Sequence, residues 1–270
     1  RVYEIPEGSK TAKGRAIQNL INIEQDDKVK AFINTQDLKD EEYINSHYVI
    51  MATKKGQVKK TLLEQYSRPR ANGINAITIK DEDELLEAKL TTGNSQILLA
   101  VKSGKAIRFE EDKTRPMGRS ASGVRGITLN GPSDEVIGMV SVSDSETEIL
   151  VVSENGYGKR SSLDDYRTTN RGGKGVKTLS ITDKTGELVS IKNVSDLDDL
   201  MIINKSGIAI RMDVADLRVM GRATQGVKLI NLKGTDTIAA VAKVMKDDEE
   251  IPEVSEDDVP TSETDGTNLE

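Results

Sequence analysis

The chain has 270 residues, no cysteine, one histidine (His47) and a formal net charge of -7. Disulfides and thiolate metal sites are therefore excluded, a His-dependent triad or His-rich metal site lacks material, and the apolar runs, about half a dozen residues each, fall far short of the ~20 of a membrane span. The charge is also divided: residues 247–270 hold 11 acids and no Lys or Arg, which leaves the body with 38 basic against 34 acidic residues.

In chain order, Arg1-Val2-Tyr3-Glu4-Ile5-Pro6 alternates like the last strand of a unit whose beginning is missing. Lys13-Gly14-Arg15-Ala16-Ile17-Gln18-Asn19-Leu20 follows, then an acidic turn at Gln25-Asp26-Asp27 and a strand-like run from Val29 to Ile33. After a polar insertion, Tyr48-Val49-Ile50-Met51-Ala52 reads as a buried strand entering a hairpin at Lys54-Lys55-Gly56 and returning through Val58-Lys59-Lys60-Thr61.

From here the order repeats. The hairpin glycines Gly56, Gly104, Gly156 and Gly207 are spaced 48, 52 and 51 residues apart. A second marker, the glycine ahead of an alternating strand, falls at Gly73, Gly123, Gly175 and Gly226, spaced 50, 52 and 51 apart, with Ala16 standing 57 before the first. After this glycine, apolar residues recur at offsets one, four and six, as in Val124, Ile127 and Leu129 or Val176, Leu179 and Ile181. The change from three- to two-residue spacing predicts a bulge followed by a half-buried strand. Each unit continues with a polar turn, a second strand, an almost wholly apolar third strand (Ile97 to Val101, Ile149 to Val152, Leu200 to Ile203) and a fourth after the hairpin.

Four short strands per fifty residues, without a sustained helical period, predict an all-β, propeller-like array of four-stranded blades over residues 1–246. The final unit, through Val241-Ala242-Lys243-Val244, stops before a third apolar strand, so either the two ends complete one blade or the chain belongs to something longer. The acidic stretch 247–270 has the composition of a disordered tail.

The cations keep the repeat. Four residues after each hairpin glycine stand Lys60, Arg108, Arg160 and Arg211. Relative to the second glycine, three units carry Arg115, Arg167 and Arg218 eight residues before, Arg119, Arg171 and Arg222 four before, and Arg125, Lys177 and Lys228 two after. Arg68 and Arg70 occupy the matching loop of the second unit, Lys13 and Arg15 that of the first, and Lys174 lies within Arg171-Gly172-Gly173-Lys174-Gly175. Solvated strand faces would mix acids into these offsets, whereas here the offsets stay cationic, which predicts a basic stripe along one edge. Such a stripe suits a bent polyanion held through counterion release. With no Trp and only Phe32 and Phe109, base stacking on aromatic platforms is not expected, and contacts should be to backbone.

With Tyr66-Ser67-Arg68-Pro69-Arg70, Arg115-Pro116-Met117-Gly118-Arg119, Asn155-Gly156-Tyr157-Gly158-Lys159-Arg160 and Met220-Gly221-Arg222 to Gly226-Val227 in register, the body resembles the C-terminal domains of DNA gyrase A subunits. The topoisomerase IV counterpart is a near relative. The resemblance implies a β-pinwheel, six-bladed in the family and about five units here, that wraps double-stranded DNA with positive handedness. It implies partnership with the other domains of the gyrase polypeptide and with the second type of gyrase polypeptide in an A2B2 assembly, which introduces negative supercoils. ATP, magnesium and the nicking tyrosine would belong to that remainder, so this domain is expected to hold no cofactor, metal or catalytic residue. A cytoplasmic, nucleoid-associated location follows. One departure stands out: the family's box, a Gln and a basic residue before Arg-Gly-Gly-Lys-Gly, lies in its first blade, whereas here Thr169-Asn170 precede the pentapeptide in the fourth unit. The expectation is that the box proper lies upstream of Arg1. An interaction scaffold meeting an acidic partner is the reading from another class.

Overall fold

The computed structural model describes residues 5–9, 12, 15–21, 23, 27–70, 72–143 and 148–245. The opening strand at Arg1 to Glu4, the Lys13-Gly14 pair, the acidic residues before Asp27 and the stretch 247–270 lie outside them. Within them the chain is almost entirely β.

Strands β1 (Tyr48–Thr53) and β2 (Gln57–Leu62) form the first hairpin. They are followed by β3 (Leu85–Thr91), β4 (Gln96–Val101), β5 (Lys105–Glu110), β6 (Val124–Arg125) and β7 (Val136–Val142). Next come β8 (Glu148–Ser153), β9 (Tyr157–Ser162), β10 (Val176–Lys177), β11 (Leu188–Val194), β12 (Asp198–Asn204), β13 (Ala209–Asp213), β14 (Val227–Lys228) and β15 (Ile238–Met245). All pair antiparallel, in sheets ordered β3-β1-β2-β6, β7-β4-β5-β10, β11-β8-β9-β14 and β15-β12-β13.

The fifty-residue repeat is thus not one blade. The unit around Gly123 gives β6 to the first sheet, β7 to the second and the β8–β9 hairpin to the third. Its successor does the same one sheet further on, so each unit stitches three neighbouring sheets together. In the fourth sheet, β13 has no fourth partner strand among the described residues.

The hairpin strands β1, β4 and β8 read as continuous apolar runs because both faces are covered. Along β4, Ile97, Leu99 and Val101 face the first sheet, where they pack with Ile50, Ala52 and Val58. Leu98 and Ala100 face the third, against Ile149, Val151 and Tyr166. A further core of Leu150, Val152, Leu200, Ile202 and Ile238 joins the third and fourth sheets. At roughly 1.5–3 kcal/mol per fully buried large apolar side chain, these inter-sheet cores dominate stability. Strands β3, β7, β11 and β15 touch one another in sequence along one edge of the array. The opposite edge carries the two-residue strands β6, β10 and β14.

Those short strands are shorter than the alternating pattern predicts. The predicted bulge is there: the N–H groups of Gly126 and Ile127 both reach Gly56 O, at 2.8 and 3.4 Å, and those of Thr178 and Leu179 both reach Gly104 O, at 2.8 and 3.2 Å. Beyond it, the chain leaves the sheet after two residues. This docking requires glycine at the hairpin. Gly104 sits at φ +78°, and a Cβ there would lie 2.6 Å from Leu179 O and Ile181 Cγ1. Gly207, at φ +86°, faces nothing within 4 Å, consistent with a sheet of three strands among the described residues.

Two expectations are corrected. Val29 to Ile33 forms no strand; instead Ala31 and Ile33 pack on the outer face of the first sheet beside Ile44, Val49 and Met51. The polar insertion contains a helix, α1 (Glu41–Ser46), whose start is fixed by Asp40, the side chain of which accepts from Glu42 N and Tyr43 N. Glu41 and Glu42 in its first turn suit the positive end of the helix. No helix among the described residues is long and apolar enough to cross a membrane.

Candidate nucleic-acid interface

The predicted cations belong to the outer hairpin strands, to the short edge strands and to the loops between elements. The structure sorts them into three ranks.

In the first rank, four residues after the hairpin glycine, Lys60, Arg108 and Arg160 face the next sheet instead of the outer surface. Lys60 is 4% exposed; its Nζ donates to Glu111 O at 3.3 Å, lies 3.7 Å from Glu111 Oε1 and stands over the Tyr48 ring. Arg108 donates through Nη1 to Leu163 O (2.7 Å) and Tyr166 O (2.9 Å), and its Nε holds Gln96 Oε1 (2.7 Å). Arg160, 8% exposed, donates to Leu217 O and pairs with Asp196 and, at 2.9 Å, with Glu148. Each thereby ties its own strand to the short turn that follows the next hairpin. Arg211 in the fourth sheet is exposed and pairs with Asp199 at 2.6 Å. Period-two alternation places these side chains on one face, but around Lys60, Arg108 and Arg160 that face is occupied by a neighbour.

The second rank, Arg119, Arg171 and Arg222, is half-buried and links loop to loop. Arg119 Nη1 donates to Asn75 O at 3.1 Å. Arg171 donates to Lys113 O (2.9 Å) and Arg125 O (3.1 Å), and Arg222 to Asp165 O (2.9 Å) and Lys177 O (2.8 Å). In every case one acceptor is the carbonyl two residues past the preceding unit's reference glycine. The loops are therefore chained in series, each arginine pinning the backbone of the residue at that offset in the unit before it.

The third rank is exposed: Arg15, Arg68, Arg70, Arg115, Arg125, Arg167, Lys174, Lys177, Arg218 and Lys228. Arg115, Arg167 and Arg218 hold their places because the adjoining residues run beside the outer strand. Met117 N, Thr169 N and Met220 N donate to the carbonyls of Lys60, Arg108 and Arg160 at 2.8, 2.9 and 2.8 Å. Arg125, Lys177 and Lys228 lie on the edge strands themselves. Clefts open between these loops and the strands beneath. One of about 230 Å³ is lined by Arg108, Arg167, Asn170 and Lys174, and another of about 700 Å³ by Arg70, Asn75 and Arg119. Loop amides, guanidinium groups and ammonium groups converging on an open edge at regular intervals can hold a row of anions.

Two further cations lie outside the predicted stripe. Lys59 and Lys159 are almost fully buried directly beneath these loops. Lys59 Nζ donates to Ala76 O and Arg119 O, and Lys159 Nζ to Gly221 O (2.6 Å) and Thr224 Oγ1 (3.1 Å). Burial, with Arg119 nearby, brings Lys59 down to about 8, and burial brings Lys159 down to about 8 as well. Their signal in the sequence is a lysine three residues after the hairpin glycine, where the other two units carry Ile107 and Ile210.

The family described as "DNA gyrase C-terminal domain, beta-propeller" matches five segments, residues 1–36, 47–92, 96–143, 147–195 and 198–245. The DNA gyrase A subunit of Staphylococcus aureus (strain NCTC 8325 / PS 47) is 44% identical over 266 residues, 98% of this chain and 29% of that protein. The protein of the same name from strain MRSA252 is 45% identical over 267 residues. The chain thus spans less than a third of the length of these relatives. Among solved structures, the C-terminal domain of DNA topoisomerase IV superposes with a TM-score of 0.79 at 24% identity, covering 86% of this chain and 71% of that one. A DNA gyrase A C-terminal domain does so with a TM-score of 0.75 at 24% identity, covering 87% and 76%. At that identity the structures speak for the fold alone; the family match over five segments of the chain decides the family. The chain belongs to the C-terminal domain family of DNA gyrase A subunits.

Proposed function

We propose that this domain binds and wraps double-stranded DNA along its cationic edge, as the non-catalytic wrapping part of a gyrase in which strand passage is carried out elsewhere. The observation that carries the reading is the regular recurrence of exposed Arg115, Arg167 and Arg218 with Arg125, Lys177 and Lys228, on loops locked to each other and to the sheets below. A series of preorganised contacts on an edge built from successive sheets meets a duplex only if the duplex bends. Bending 20–30 base pairs by 40–90° costs about 1–6 kcal/mol, so several blades must contribute at once. The partners under this reading are duplex DNA, the other domains of the same gyrase polypeptide and the second type of gyrase polypeptide, in an A2B2 assembly. ATP and magnesium would serve that assembly outside this domain, and its location would be the cytoplasmic nucleoid.

Binding to duplexes of increasing length at several salt concentrations tests the reading. Affinity and salt slope should both rise with length beyond about 40 base pairs, with log affinity falling by ~0.9 per log salt for each phosphate neutralised. Equal affinity and slope for short and long duplexes would refute wrapping.

A further inference from the structure

The third residue after the hairpin glycine alternates along the array: Lys59, Ile107, Lys159, Ile210. Above Lys59 and Lys159 the loops carry Ser122 and Gln225 just before the reference glycine; above Ile107 that place is taken by Lys174, which is exposed. The loop over each of the three four-stranded sheets therefore has one ammonium, on top in one case and underneath in two. Burying an ammonium is costly, and an apolar side chain fits the same position, as Ile107 demonstrates at 1% exposure. The buried charge needs a reason beyond filling space.

We propose that Lys59 and Lys159 are positioning residues of the DNA-facing loops: each gathers loop oxygens from below and places positive potential under the exposed cations. The inference rests on the DNA-wrapping reading. Its geometry is specific. Lys59 spans two loops, since Ala76 belongs to one and Arg119 to the next, and Tyr66 Oη also donates to Ala76 O at 3.2 Å. Lys159 closes the turn in which Thr224 N and Oγ1 both return to Gly221 O, at 3.2 and 3.0 Å. Both cages are built from neutral oxygens; the charge beside Lys59 is that of Arg119, while Asp165 partly offsets the ammonium charge of Lys159. The charged and titratable groups facing them are Arg119 and Tyr66 around Lys59, and Asp165, Arg222 and Tyr166 around Lys159. Phosphates lying over the loops favour the charged form. With both lysines titrating near pH 8, association with DNA at pH 8–9 must take up protons.

The test uses the whole chain and the double variant Lys59→Met/Lys159→Met, with a duplex of about 60 base pairs, long enough to bend over several loops. Affinity is measured from pH 7 to 9.5 at constant ionic strength. The unaltered chain should lose roughly five- to tenfold in affinity across that range, as expected when nearby charges are removed from a partly screened site. The double variant should bind weaker by a similar factor at pH 7 and show no pH dependence. Its salt slope should match that of the unaltered chain, because no phosphate-facing cation has been removed. An unchanged affinity and pH profile in the variant overturns the inference. If the variant does not fold, calorimetric titration of the unaltered chain in two buffers of different ionisation enthalpy takes its place: proton uptake supports the inference and its absence overturns it. Lack of salt-sensitive duplex binding by the unaltered chain would instead remove the DNA reading, and this inference with it.

Discussion

Replacing Arg171 and replacing Arg167, four residues apart in one loop, should have opposite signatures. Arg171 spends two guanidinium N–H groups on Lys113 O and Arg125 O, at 2.9 and 3.1 Å, from a half-buried position. Hydrogen bonds from a charged donor contribute about 1.5–3 kcal/mol each when shielded; halving that for partial exposure and counting both bonds, Arg171→Met should cost about 1.5–3 kcal/mol in all. Arg167 is exposed, and Arg167→Met should change stability by no more than ~0.5 kcal/mol. On DNA the ranking reverses. Under the proposed DNA reading, losing Arg167 should remove one phosphate contact and lower the salt slope by about 0.9, whereas losing Arg171 should weaken binding through a looser Arg125 backbone with little change in slope. Urea titration followed by circular dichroism, and duplex binding between about 50 and 200 mM salt, measure both quantities. A stable Arg171→Met chain with a slope reduced by the same amount as Arg167→Met would refute the division into linking and phosphate-facing arginines.

Other outcomes follow from the same geometry. Gly207→Ala should cost only the strain of a left-handed alanine, about 1–2 kcal/mol, while Gly104→Ala should cost clearly more, because its Cβ would displace the strand after Gly175; equal losses in urea titration would contradict the docking. Arg160→Met leaves Glu148 without its 2.9 Å partner in a largely buried site and should cost about 3–5 kcal/mol, read from the denaturation midpoint. Lys59 and Lys159 titrate near 8 when folded, against 10.5 otherwise. The unfolded chain therefore holds more protons between those values, and stability should rise with pH from about 8 toward 10, by about 1–3 kcal/mol per lysine at most. Above about pH 10 the trend should bend back, since burial holds Tyr66 above its ordinary value and Tyr166 up to about 12, so both keep protons that the unfolded state releases. A thermal midpoint that falls steadily from about pH 8 to 10 would contradict the buried-lysine assignment.

The repeat, the hairpins and their apolar strands could be read from the sequence because they are local. A buried strand such as Ile97 to Val101 must be apolar on both faces, and its hairpin needs a glycine of positive φ. Partnership could not be read. Nothing in Val124-Arg125 says that it completes the sheet begun at Tyr48, because that depends on Gly56 O accepting from Gly126 and Ile127. The same limit applies to the cations. Periodicity shows that Arg115, Arg119 and Arg125 recur, but Arg119 points to a neighbouring carbonyl while the other two face solvent. Lys60, Arg108 and Arg160 belong to the periodic set yet serve the joints between sheets. Lys59 and Lys159 keep a fixed offset from the hairpin glycine, but two lysines alternating with two isoleucines carry no meaning until the loop above them is seen. The helix at Glu41–Ser46 is hidden for a simpler reason: six residues are too few to show a helical period, although Asp40 before Glu41-Glu42 carries the cap.

Wrapping is the central claim, and DNA topology tests it most directly. Nicked circular DNA incubated with the chain, sealed by a ligase and stripped of protein should show a topoisomer distribution displaced from that of DNA sealed alone, in proportion to the amount of chain bound. The displacement should disappear when Arg115, Arg125, Arg167, Lys177, Arg218 and Lys228 are replaced together by Gln in a chain that still folds. A distribution identical to that of free DNA, under conditions where the chain is bound, would contradict the account.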